Sequence, residues 1–177
     1  WSALGAIAES LLVVLPNGVA VSVLFAVNLA AIITSGPLGA AIVSCISVLL
    51  RVPKLNDRGY VHIFNTPFYK TLFNVSQCII LVGTSGIIYI NFGGEIGKIS
   101  IFAIFLVIIV YVFLNSTIMS WLITLISGQK FTAIWIGGIK GTLINSIAIA
   151  VVGIIIVMAF NTYQYIAVLL FFAPLLM

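Results

Sequence analysis

Ile99-Ser-Ile-Phe-Ala-Ile-Phe-Leu-Val-Ile-Ile-Val-Tyr-Val-Phe-Leu-Asn-Ser-Thr-Ile-Met-Ser-Trp-Leu-Ile-Thr-Leu-Ile-Ser127 decides the class of this chain. The stretch contains no Asp, Glu, Lys or Arg, and its apolar residues do not alternate with polar ones as a membrane β-strand requires. At about 1.5 Å per residue, some 20 apolar residues match the ~30 Å hydrocarbon core of a bilayer. Lipid supplies no hydrogen bonds, so each backbone N–H and C=O must be satisfied inside the segment, which selects a helix. Gly141 to Phe160 has the same character. The predicted fold is an all-α integral membrane bundle of six to seven transmembrane helices, some short and interrupted by Gly or Pro.

Composition supports this. Charged residues make up 6% of the chain and hydrophobic residues 63%, with a mean hydropathy of +1.37. A soluble domain carries roughly 25% charged residues, so this chain has too few to solvate its surface. The net charge is +4. Its cations flank apolar runs, where they act as topology signals and meet anionic headgroups, so nucleic acid is not an expected partner. Cys45 and Cys78 both fall in apolar runs without a CxxC pair and are expected to be small buried hydrophobes. The chain starts at Trp1 and is still apolar at Met177; it is expected to be one membrane domain, 1–177, cut from a longer protein. The opening stretch lacks a basic n-region and a cleavage site, so it is not a signal peptide.

Seven apolar runs are visible. The first, Ser2 to Leu15, is short, contains Glu9 and stops at Pro16-Asn17-Gly18. The second, Val19 to Thr34, is broken from the third, Leu38 to Leu50, by Ser35-Gly36-Pro37, because Pro cannot continue a helical ladder. Arg51 to Lys70 is a polar connection with turn formers and with Tyr60, Phe64, Phe68 and Tyr69, an interfacial aromatic belt in which a short amphipathic helix would fit. The fourth run is Thr71 to Ile90. A tight turn, 91–98, leads to the fifth run, Ile99 to Ser127. A gap from Gly128 to Lys140 precedes the sixth, Gly141 to Phe160. A short turn, 161–165, precedes the seventh, which starts near Ile166.

Lys and Arg bias in short loops orients the bundle. The 51–70 gap holds Arg51, Lys54, Arg58 and Lys70, and the 128–140 gap holds Lys130 and Lys140. The 91–98 gap has one Lys and the 161–165 gap none. Two spans separate the cation-rich gaps, so both fit the cytoplasmic side of the membrane. The seventh run then delivers the C-terminal end to the cytoplasm.

Polar groups inside the membrane are costly, which makes Glu9, Asn28, Asn74, Gln77, Asn115 and Asn145 the residues of interest. Asn74 and Gln77 share one helix face. The bland expectation is interhelical hydrogen bonding at about 0.6 kcal/mol per bond, with Glu9 near the interface. The sharper one is a pocket for a small ligand on which several of them converge. Gly137 and Gly141 form a GxxxG, and Ala26 and Ala30 a small pair, spacings that are common by chance in a chain this rich in small residues. His62 is a lone loop histidine, expected to be solvent-exposed. No nucleophile elbow, P-loop, paired carboxylates or metal cluster appears, so catalysis, metal and cofactors are not expected of this segment.

Leu15-Pro-Asn-Gly-Val-Ala-Val-Ser-Val-Leu-Phe-Ala-Val-Asn28, Ser35-Gly-Pro-Leu-Gly-Ala-Ala41 and Pro67-Phe-Tyr-Lys-Thr-Leu-Phe-Asn74 resemble a bacterial membrane-associated sensor (MASE-type) domain. The closing Phe171-Phe-Ala-Pro-Leu-Leu176 is similar to the last span before such a domain joins its catalytic module. The resemblance implies a sensor or anchor N-terminal to a cytoplasmic HD-GYP phosphodiesterase or GGDEF module, whose output is turnover of cyclic di-GMP. It maps no metal ligand or ligand-binding residue onto this segment. The expected partners are the lipid bilayer, a small ligand, an output domain in cis and a second copy of the chain. The rival expectation is the substrate-binding membrane component of an energy-coupling-factor-type vitamin importer, and a third is a passive anchor.

Overall fold

The computed structural model describes residues 1–11, 13, 14, 20, 21, 23–55, 59–164 and 166. Helix α1 spans Ser2–Ser10, α2 Leu24–Leu50, α3 Phe68–Asn91, α4 Ile101–Ser127 and α5 Phe131–Tyr163. Strand β1, Val13–Val14, pairs antiparallel with β2, Ala20–Val21, and β3, Lys54–Leu55, pairs with β4, Gly59–Tyr60. By length and composition α2 to α5 each meet what a membrane span requires, α2 with its length divided at Gly36. The all-α membrane class therefore stands. Helix ends follow local chemistry. Pro67 precedes α3, and Gly128, left-handed at φ 68°, closes α4 by donating its N–H to Thr124 O.

Helix α2 is not a straight rod. Gly36 sits at φ 72° and ψ −177°, a conformation that side-chain-bearing residues rarely adopt, and Pro37 follows. The chain doubles back there. A Cβ placed on Gly5 would stand 3.3 Å from Leu24 Cδ1 and 2.9 Å from Ser47 Cβ. In one straight helix, residues 24 and 47 would lie about 35 Å apart. Two antiparallel arms, 24–35 and 37–50, satisfy both contacts. The break expected at Gly36-Pro37 is thus a reversal.

The other elements alternate in direction around this hairpin. Helix α1 runs alongside the second arm in the same sense: Ser47 Oγ donates to Ser2 O at 3.2 Å, and Arg51 reaches Glu9. Helix α3 opposes that arm, with Gly86 against Pro37. Helices α4 and α5 are antiparallel, Trp121 packing on Phe131 and Phe113 on Trp135. The 92–100 link grips the hairpin tip: Gly97 N–H donates to Ile33 O at 2.7 Å, and Ile96 covers Gly36. The hydroxyl of Tyr89 donates to Lys98 O, and Asn161 Nδ2 donates to Gly97 O at 3.0 Å. On that link Lys98 pairs with Glu95 at 2.6 Å, and the hydrogen bond to this carboxylate holds the ammonium above its ordinary range.

The first arm is the bundle's centre. Ala26, Leu29, Ala30, Ala31, Ile32 and Ile33 are fully buried. A helix buried all round is apolar all round, which explains its lack of a polar face. Ala26 meets α5 at Gly153, where an added Cβ would stand 3.0 Å from Ala26 O. Exposed Phe102, Phe105, Ile144 and Ile155 turn outward, where lipid is the fitting solvent.

Three sequence expectations need correction. The first run ends as helix at Ser10 rather than Leu15, and the second becomes helical at Leu24 rather than Val19. Between them, Val13 pairs with Val21 and Val14 with Ala20, a ladder that suits β-branched residues. The middle of the 51–70 connection forms the β3–β4 ladder, not an amphipathic helix; Gly59 at φ 69° supplies the turn conformation. The 128–140 gap shrinks to 128–130, and Lys140 lies inside α5. Phe131 to Ile139 is apolar and free of Pro, so one lysine does not stop a helix that extends about 50 Å. Pro16-Asn17-Gly18, Arg58 and nearly all of the seventh run, including Phe171 to Leu176, lie outside the described residues.

Candidate functional site: a polar seam inside the bundle

Asn28 on the first arm is 0% exposed, and neither its Oδ1 nor its Nδ2 makes a hydrogen bond of ordinary geometry among the described residues. The hydroxyl of Tyr111 on α4 is the polar group that faces it, without closing a regular bond. Phe25, one turn before Asn28, holds the Tyr111 ring at a centroid distance of 4.4 Å. Ser44 on the second arm is also fully buried, faces the Cys78 thiol of α3 and closes no regular hydrogen bond among the described residues. An unpaired amide in a nonaqueous interior costs about 1–3 kcal/mol. Four elements thus enclose polar groups that are close to one another but not bonded.

Gln77 and Asn115 form the bonded part of the seam. Gln77 Nε2 donates to Asn115 Oδ1 at 2.9 Å, joining α3 to α4. At the cation-rich end, Arg51 Nη1 bonds Glu9 Oε1 at 2.6 Å, with side chains 28% and 12% exposed. This ties α1 to the end of the second arm.

The six sequence-predicted polar residues therefore separate. Asn28, Gln77 and Asn115 sit in the seam. Glu9 is engaged by Arg51 at its end. Asn74 and Asn145 are half-buried and make no side-chain hydrogen bond among the described residues. Tyr111, Ser44 and Cys78 were missed as seam members. Hydroxyls and thiols are common in apolar runs, and only the reversal at Gly36 brings Ser44 opposite α3. Both cysteines are free and half-buried. Ala26 and Ala30 serve close packing within the bundle, whereas Gly137 and Gly141 face open space.

The cations lie where the loops place them. Lys54, Lys70 and Lys130 are exposed, Arg51 is paired, and Lys140 is on α5. His62 is half-buried beside the start of α3.

Apolar helices packed around a buried polar seam make this a multi-helix membrane domain. A family model described as MASE9 matches residues 5–177. The chain belongs to this family of membrane-associated sensor domains, which are non-catalytic membrane domains. No curated protein and no solved structure matches the chain.

Proposed function

We propose that this chain is the membrane-embedded sensor of a bacterial cyclic di-GMP signalling protein. It passes a membrane or small-ligand stimulus to a cytoplasmic output module joined after its last helix, an HD-GYP phosphodiesterase in preference to a GGDEF cyclase. Membership of the MASE9 family carries this reading. The charge bias supports the orientation: 51–67 and 128–130 lie at the same end of the alternating bundle and hold more cations than 92–100. That end faces the cytoplasm of the inner membrane, and the seventh run returns the chain to it.

The seam supports a mechanism. Asn28 and Ser44 close no regular hydrogen bond among the described residues, so a second packing of the hairpin against α3 and α4 lies within a few kcal/mol, and a stimulus that prefers it shifts the population. Loss of stimulus-dependent cyclic di-GMP turnover on replacing the bundle with an unrelated one, in the full-length protein, is the expected result. Unchanged regulation would reduce the bundle to a passive anchor. A purified chain that retains a vitamin, from a gene without an output module, would favour the importer instead.

A further inference from the structure

The connection between α2 and α3 holds a crevice that the sensing seam does not use. Arg51, His62, Thr66 and Thr71 line it over an apolar floor of Val48 and Val61. Local bonds shape it. Val61 N–H donates to Pro53 O at 2.9 Å, folding the β3–β4 segment back. Asn65 accepts from His62 N–H at 2.7 Å and donates to Tyr60 O at 2.8 Å, which sets His62 beside the start of α3.

Two donors there have no partner among the described residues. His62 Nδ1 accepts from Phe64 N–H at 3.2 Å, so the ring proton sits on Nε2, which has no partner among the described residues. The Thr71 hydroxyl has none either. Arg51 uses Nη1 on Glu9 and carries further N–H groups. Lys54 on β3 and Lys70 in the first turn of α3 are exposed, 5.8 Å and 6.0 Å from the Tyr60 and Tyr69 ring centroids, with no carboxylate partner among the described residues. The start of α3, without a side-chain cap, adds the positive end of its dipole. On the same connection and the first turn of α3 stand Phe64, 94% exposed, Phe68, 77%, and Tyr69, 68%. Exposed aromatics beside exposed lysines fit the boundary between headgroups and acyl chains, where rings meet lipid and ammonium groups meet phosphate.

We propose that this crevice binds the phosphate of one anionic phospholipid, with Arg51, His62 and Thr71 donating to its oxygens and Phe64 and Phe68 lying against its glycerol and upper acyl chains. The site rests on the reading that puts 51–70 at the inner membrane surface, whose leaflet is rich in such lipids. Native mass spectrometry of the full chain, titrated with phosphatidylglycerol or phosphatidylcholine, tests it. Expected is one phosphatidylglycerol retained about fivefold or more over phosphatidylcholine. The double variant His62→Ala, Thr71→Val should lose that preference at an unchanged Tm, and Lys54→Gln with Lys70→Gln should weaken it and flatten its salt dependence. Equal retention of the two lipids, or a preference that survives His62→Ala, Thr71→Val, overturns the site. A parallel side-of-membrane label on Phe64→Cys separates the causes: inner labelling with no lipid preference removes the lipid site alone, and outer labelling removes the orientation with it.

Discussion

Gly86 of α3 lies against Pro37 at the turn of the α2 hairpin, so closely that an added Cβ would stand 2.7 Å from Pro37 Cα. The atom in the way is backbone, which cannot swing aside. This contact seats the hairpin tip on α3 and sets the depth at which the two arms face α3 and α4.

Gly86→Ala is therefore expected to destabilise the bundle by about 1–3 kcal/mol, the usual cost of overpacking. Gly83→Ala, on the same helix with nothing within 4 Å, should be neutral or slightly stabilising. Thermal unfolding of both variants in detergent is the check, and equal Tm values would remove Gly86 from the interface.

Replacing Asn28 by Leu keeps the branched outline and removes two polar atoms that close no regular hydrogen bond among the described residues. The variant is expected to be more stable than the parent by about 1 kcal/mol or more, and less responsive to stimulus in the full-length protein. Denaturant unfolding gives the first quantity and cyclic di-GMP turnover the second. A marked loss of stability would mean that Asn28 is satisfied in the membrane.

Gln77 and Asn115 should couple by roughly 0.6 kcal/mol, and by no more than about 1.7, in a double-mutant cycle with Leu at each position. A coupling indistinguishable from zero would reduce the hydrogen bond between them to chance proximity.

Arg51→Gln and Glu9→Gln each leave a partner without its counter-charge. Both side chains are mostly but not wholly covered, so each single change is expected to cost between the ~1 kcal/mol of a surface pair and the ~3 kcal/mol of a buried one. The swap Glu9→Arg with Arg51→Glu should recover part of that loss. No recovery would assign the cost to packing of the arginine stem instead.

Much of the fold was legible because lipid makes the code simple. Charge-free runs gave α3 and α4 nearly to their ends, and Gly36-Pro37 gave the place of the reversal. Short elements were less legible. Val13, Val14, Ala20 and Val21 are as apolar as a helix, and only their pairing makes them strands. Lys140 does not mark a helix end, because a single charge counts for less than the uninterrupted apolar sequence around it. In the seam, long amides stood out by type, and Gln77 with Asn115 proved to be partners. Glu9 with Arg51 joins elements 42 residues apart, a pairing that only the packing of α1 along the second arm reveals.

Side-specific thiol labelling tests the central claim, that α2 doubles back and the cation-rich connections face the cytoplasm. Cys45 and Cys78 are replaced by Ala, and single cysteines are placed at Ser35, Phe64, Gly93 and Gln129. In intact cells an impermeant maleimide should label Ser35→Cys and Gly93→Cys, and should reach Phe64→Cys and Gln129→Cys only after the membrane is opened. A Ser35→Cys that never labels, as in the middle of a straight span, or a Phe64→Cys that labels from outside, would contradict it.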